Sequence, residues 1–370
     1  LASAIKQVRS PTVADRVVCG SDDGDLDAAC ADADLIFEAV TEKIDLKHRF
    51  FERIDKARNP NAIVATVTSG LSITSLAAPR SESFRRHFLG LHFFNPPNVI
   101  VGTELIANKE TDPAIVAFVE AFAAGPLGRA MVRTHDTPGF AGNRVGFKVL
   151  NEVAQLAEEH GPHVMDMVVG RYTGRALAPL ATIDLVGWDI HAAIVDNIHA
   201  LCRADESRAT LAMPEYMGEA MSRGTLGNKS GKGFFMREGK QKLVLNPRSN
   251  TYSPIEEVQV PDVSFIRKVS ALHRVGRYRD AMACFASAEG PMAALARKVI
   301  AGYIAYAYAR VGEVTDTIDG IDRIMGYGFN WAPPSVLVDL FGGDVAVRMV
   351  KEAGLVVPDA PGQKSYDAYV

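Results

Sequence analysis

Between residues 35 and 134 short apolar runs alternate with stretches of helical pattern, and no other feature of the 370-residue sequence limits the fold as strongly. Residues 35–40 (LIFEAV), 62–67, 88–93 (FLGLHF), 99–107 and 129–134 read as strands. Helices are predicted at 25–33, at about 43–57, at 72–78 and at 113–124. Residues 16–19 are a further strand candidate, and residues 1–10 read as a helix end stopped by Pro11. Strands alternating with helices point to an α/β layer with a mostly parallel sheet.

The run 88–93 ends in His92-Phe93-Phe94-Asn95-Pro96-Pro97. Proline cannot donate to a ladder and restricts the residue before it, so the strand stops there. The next apolar run carries Glu104 back alongside. An imidazole at a strand end with a carboxylate on the returning segment is a plausible base and orienter: the carboxylate fixes the tautomer and stabilises the imidazolium. A structural histidine beside a solvated glutamate is the competing reading.

From Thr137 the pattern changes to helices. Residues 138–160 read as one long helix with Val145, Val149, Val153 and Leu156 on a face, and helices continue over 161–222. The segment 227–235 (GNKSGKGFF) lacks P-loop spacing and reads as a turn before a hairpin. Residues 247–263 read as a linker of about 17 residues with no periodicity. A second helical segment runs from 264 to 353, and the residues from Pro358 read as disordered. Three short matches relate the two helical segments in order. Asp166 to Gly170 matches Asp322 to Gly326, Ala178-Pro179 matches Pro333-Pro334, and 183–189 matches 338–344, at offsets of 156 and 155 residues. They imply two copies of one helical domain, at 137–246 and 264–353.

The formal net charge of −4 gives no footprint for nucleic acid and no polybasic patch for a membrane surface. No apolar run reaches the ~20 residues needed to span a bilayer. The four cysteines form no metal-ligand spacing, so no metal is expected, and a reducing, cytoplasmic location is the default. No G-x-G-x-x-G occurs anywhere.

The HFFNP run, Glu104 twelve residues after its histidine, Thr68-Ser69-Gly70 and the run Asp136-Thr137-Pro138-Gly139-Phe140-Ala141-Gly142-Asn143-Arg144 together resemble the 3-hydroxyacyl-CoA dehydrogenase family. The resemblance implies a fold that is α/β then all-α: a partial Rossmann-type NAD-binding domain over 1–136, then two tandem helical domains of the family's C-terminal type. It implies NAD as cofactor and oxidation of (S)-3-hydroxyacyl-CoA in fatty-acid β-oxidation, an activity of the EC 1.1.1.35 type. Of the site residues, His92, Glu104, Ser69 and Asn143 would be catalytic, and Glu42, Lys47, Ser69, Asn95 and Lys229 would hold the cofactor. Family members place a glycine-rich βαβ unit just before the point where this sequence starts. An N-terminally truncated chain, inactive alone and poor at binding NADH, is the expectation. The tandem copies would form a pseudo-dimer within one chain, with a further oligomer or a fused hydratase domain left open. A hydroxy-acid or sugar-acid dehydrogenase and a non-catalytic assembly domain are the alternatives.

Overall fold

A computed structural model describes residues 16–358. The expected helix end at 1–10 and the expected disorder beyond 358 lie outside the described residues.

The first layer is a five-stranded sheet in sequence order, β1 (Leu35–Glu38), β2 (Ile63–Thr66), β3 (Phe88–Phe93), β4 (Gly102–Ala107) and β5 (Ala130–Thr134). Strands β1 to β3 run parallel, β4 runs antiparallel to β3, and β5 runs parallel to β4. Helices α1 (Leu26–Asp32), α2 (Ile44–Ala57), α3 (Ile73–Ala77), α4 (Glu82–Arg86) and α5 (Pro113–Ala124) complete the layer. Both sheet faces are covered, which is why β2 is buried along its whole length. Phe51, Ile73, Phe84 and Phe88 fill one face, and Leu89, Leu91, Leu105, Val116 and Val119 fill the other. Asp112 caps α5 through the Ala114 N–H, and Pro113 takes the first position, where a missing N–H costs nothing.

One expectation in this layer fails, and the strand expected over 99–107 begins only at Gly102, with Val99 and Val101 exposed on the turn before it. Residues 16–19 form no strand: Val17 and Val18 are exposed, and a four-residue run with no neighbour to pair with has nothing to hold it extended. Helix α4 was not anticipated. Its five residues are too few to show a period, and it rests on a local cap in which the Phe84 N–H donates to the Ser81 hydroxyl oxygen.

The second layer is helical. It comprises α6 (Gly142–His160), α7 (Pro162–Val168), α8 (Pro179–Val186), α9 (Trp188–Leu201), α10 (Glu215–Ser222), α11 (Phe265–Arg274) and α12 (Tyr278–Ala286), followed by α13 (Pro291–Ala309), α14 (Ile318–Tyr327), α15 (Pro334–Phe341) and α16 (Gly343–Glu352). Helix α6 starts at Gly142, not at Pro138, because Gly139 and Phe140 both hold positive φ and turn the chain first. Its residues Gly142 to Asn151 are buried all round, so it is a central helix with no solvent face in that half. The stretch expected to be a structureless linker carries strand β8 (Thr251–Pro254), which pairs with β7 (Gln241–Asn246) of the β6 (Phe235–Glu238) and β7 hairpin. Its pairing is supplied by the neighbouring strand, which no local pattern announces.

One hydrophobic core runs through α6 to α16, from Val145 and Trp188 to Ile300, Ile321 and Leu337. Where residues 174–176 pass residues 330–332, the backbones exchange two hydrogen bonds. The Ala176 N–H donates to Asn330 O (3.1 Å) and the Ala332 N–H donates to Gly174 O (2.6 Å). Arg175 and Trp331 form the bridge between them, with the guanidinium 4.4 Å from the Trp331 ring.

Candidate active site

His92 and Glu104 are direct partners in the β3–β4 register. Opposed residues of an antiparallel pair project to the same face, so the ladder itself brings imidazole and carboxylate together. His92 Nδ1 lies 2.6 Å from Glu104 Oε2. The other carboxylate oxygen, Oε1, accepts from the Ala141 N–H (2.9 Å) and the Gly142 N–H (3.0 Å) at the start of α6. A carboxylate is favoured at a helix N-terminus, where N–H groups lack intrahelical partners. Glu104 is 0% exposed and His92 is 4% exposed. With Nδ1 committed to the carboxylate, Nε2 is the ring nitrogen left to exchange a proton. Phe94 and Phe140 flank the imidazole at 4.9 and 5.7 Å between ring centroids.

Asn143, one residue into α6, donates from Nδ2 to Ser69 O (2.9 Å), which ties the end of β2 to the helical layer. The Ser69 N–H donates to Glu42 Oε1 (3.0 Å), and the Thr68 hydroxyl donates to the same oxygen. Lys47 is not a solvated helix residue. It is 1% exposed, and its ammonium binds both oxygens of Glu38 (2.8 and 3.0 Å) and lies 3.3 Å from Glu42 Oε2. The Glu42 side chain remains 45% exposed. His92, Glu104, Asn143, Ser69, Glu42 and Lys47 therefore gather at the carboxyl ends of β1, β2 and β3, where open α/β sheets bind ligands. Asn95 is exposed on the turn that follows β3. Lys229 stands apart. It pairs with Asp189 at the start of α9, about 12 Å along that helix from Asn197, whose amide lies 3.4 Å from Gly70 O.

Several residues of this region have no assigned part in the sequence reading. Asp136 accepts from the Ser72 hydroxyl and from the Ile73 and Thr74 N–H groups, so it caps α3 from across the fold. Arg144 is buried and binds Tyr306 Oη (2.7 Å) and Asp205 Oδ2 (2.6 Å). Burial alone would raise the Asp205 carboxyl, but hydrogen bonds from Tyr306 and Arg144 outweigh it and hold the carboxyl below the usual range. Asp136 and Arg144 lie in the motif quoted above. Asp205 had no sequence signal, because its partners are 61 and more than 100 residues away. Among the described residues no group of acidic, histidine or cysteine side chains is placed to hold a metal, and no helix is long and apolar enough to cross a membrane.

Residues 3–137 match the model of the 3-hydroxyacyl-CoA dehydrogenase NAD-binding domain, and residues 139–237 match that of the same family's C-terminal domain. A probable 3-hydroxybutyryl-CoA dehydrogenase of Bacillus subtilis is 31% identical over 210 residues, covering 56% of this chain and 71% of that protein. The chain belongs to the 3-hydroxyacyl-CoA dehydrogenase family. A probable 3-hydroxyacyl-CoA dehydrogenase of the same organism is 31% identical over 331 residues, covering 88% of this chain and 41% of that protein. The crystal structure of 3-hydroxybutyryl-CoA dehydrogenase from Escherichia coli shares the fold, at a TM-score of 0.70 and 20% identity, over 95% of this chain and 84% of that one. The chain spans about half the length of the curated relatives it matches first. As a member of the 3-hydroxyacyl-CoA dehydrogenase family it takes NAD as cofactor. The residues present fit the nicotinamide end of that cofactor: a half-exposed carboxylate, Glu42, stands beside Ser69 at the strand ends and can accept from ribose hydroxyls.

Proposed function

We propose that this chain carries the dehydrogenase chemistry that converts (S)-3-hydroxyacyl-CoA to 3-oxoacyl-CoA in fatty-acid β-oxidation, with His92 as general base oriented by Glu104. The observation that carries this reading is the buried 2.6 Å contact between His92 Nδ1 and Glu104, itself held by two N–H groups of α6. His92 Nε2 takes the proton of the 3-hydroxyl as the C3–H bond breaks and C3 becomes a carbonyl carbon. Glu104 stabilises the imidazolium that results. NAD, when bound, supplies the acceptor for the hydride leaving C3. Asn143 holds the Ser69 segment against α6 and is placed to hold the thioester carbonyl or the base. Glu42, Lys47, Ser69 and Asn95 hold the cofactor, with Lys47 acting through Glu42, and Lys229 is assigned to it by family resemblance alone. The substrate is an acyl-CoA and the location is cytoplasmic.

The same reading divides the chain into an NAD-binding part over 1–136 and two copies of one helical domain over 137–246 and 264–353, packed around a pseudo-two-fold axis. Two features support it. The hydrogen bonds between Ala176 and Asn330 and between Ala332 and Gly174 are reciprocal at an offset of 156 residues, as an isologous contact requires. Asp166 accepts from the Leu180 and Ala181 N–H groups, and Asp322, the matching residue, accepts from the Ser335 N–H.

The test is reduction of acetoacetyl-CoA by NADH in the full-length protein. His92→Gln should lower kcat by ~10²–10⁴-fold with little change in KM. Near-wild-type turnover in that variant would overturn the assignment.

A further inference from the structure

We infer that residues 324–329, where α14 ends, are a positioning element for the base, acting through Phe329 and Gly328 on Phe94 and through Phe94 on His92. The inference rests on the reading of His92 as base. That segment has no imidazole–carboxylate pair at the strand ends, yet it forms one wall of the site. Phe94, 8% exposed, has its ring 4.9 Å from the imidazole on one side and 5.6 Å from the Phe329 ring, edge-on, on the other. Ile324 and Val132 close the cluster.

Glycines make this approach possible. A Cβ on Gly142, whose N–H holds Glu104, would stand 2.6 Å from the Phe94 ring. A Cβ on Gly328 would stand 2.9 Å from Cε2 of the same ring. A Cβ on Gly102, two residues before Glu104 on β4, would stand 2.6 Å from the Gly328 backbone nitrogen, and one on Gly146 would stand 2.2 Å from the Phe329 ring. One phenyl ring thus packs against both the glycine that holds the carboxylate and the glycine that ends α14. On the other flank of the site, Arg144, next to Asn143, is bound by Tyr306 of α13. An imidazole held at one nitrogen can still tilt about that bond. The Phe94 wall stops the tilt, and residues 324–329 stop Phe94 from receding.

The test compares the full-length wild type with Phe329→Ala, Phe329→Leu, His92→Gln and Phe341→Ala. Phe341→Ala truncates a phenylalanine that packs on Phe285, in the same helical layer but outside residues 324–329. Two readouts are taken: kcat and KM with acetoacetyl-CoA, and the downfield proton NMR line of the His92 Nδ1–H···Glu104 bond, assigned by its loss in His92→Gln. The line needs no cofactor. Phe329→Ala should lower kcat ~10-fold with KM within ~2-fold, as misplacement of a catalytic group does, and should shift or broaden the line. Phe329→Leu, which keeps part of the bulk without adding an atom beyond Cζ, where the ring meets Gly146, should fall between wild type and Phe329→Ala on both, and Phe341→Ala should lower thermal stability while leaving both unchanged. If Phe329→Ala does not fold, Phe329→Leu takes its place with the same expected signs. Wild-type kcat with an unmoved line in the folded truncation overturns the inference. Retained turnover in His92→Gln would instead remove the functional reading, while the line would still report whether Phe329 holds the imidazole.

Discussion

His92 is one of two buried histidines whose environments differ in kind. It has a carboxylate partner, whereas His191, 0% exposed, has only the amide of Asn151, 3.1 Å from Nε2, and the face of Phe147. Burial pushes the His191 imidazole down to about 3, from an ordinary value near 6.5. The folded protein keeps it neutral, while the unfolded chain protonates it below about 6.5. The unfolded state therefore binds more protons across that window, and stability falls as the pH drops through it. At pH 5 the loss is about 2 kcal/mol, at about 1.36 kcal/mol per pH unit. Urea unfolding at pH 7 and pH 5 should show His191→Gln losing less than wild type by that amount, and equal losses would refute the sign. At the dyad, Glu104→Gln should lower kcat in the same direction as His92→Gln but less, since the imidazole survives and only its stabilisation is lost. Steady-state kinetics on the pair of variants checks the order, and a Glu104→Gln defect exceeding that of His92→Gln would contradict it.

Helices α8 and α15 begin alike. Each has a proline in its first turn, and each turns backbone N–H to an aspartate from the helix before, Leu180 and Ala181 to Asp166 and Ser335 to Asp322. Removing either carboxylate leaves helix-end donors unpaired, at about 1–3 kcal/mol. Asp166→Ala and Asp322→Ala should each lower the urea midpoint by a corresponding amount, and a neutral effect at either would show water replacing the cap. These aspartates were visible in the sequence as a match at fixed offset, but their capping role was not. Elements with strong local patterning were legible: β3 and α5 occupy the bounds their apolar runs and proline stops gave them. The His92–Glu104 contact was legible too, because an antiparallel return at the right spacing puts both side chains on one face. Illegible were features decided by distant partners. Strand β8 takes its order from β7, the start of α6 from two residues at positive φ, and the Arg144 cluster from residues over 60 positions away.

At the scale of the whole molecule the seam between the two helical segments carries an unusual burden. Arg175 is buried, and burial pulls its guanidinium down to about 10. Its Nη1 donates to the Thr173 hydroxyl, and its charge is met by the rings of Trp331 and Tyr303. Trp331→Ala should cost at least the ~3–5 kcal/mol usual for such truncations, because it also strands a charge. Adding Arg175→Met to that variant should recover part of the loss, as measured by urea unfolding of both. A double variant less stable than Trp331→Ala alone would mean that the ring does not compensate the guanidinium. Arg175 and Trp331 also occupy matching places on the tandem reading, 156 residues apart and facing each other. On the axis of a homodimer a residue must face its own twin, so an arginine there would confront an arginine, and one codon change would strike both sides. Two spellings within a single polypeptide escape that rule: a cation can be written on one side and an indole on the other. The join is also intramolecular, so dilution does not open it, and each half is free to drift without dragging its counterpart along.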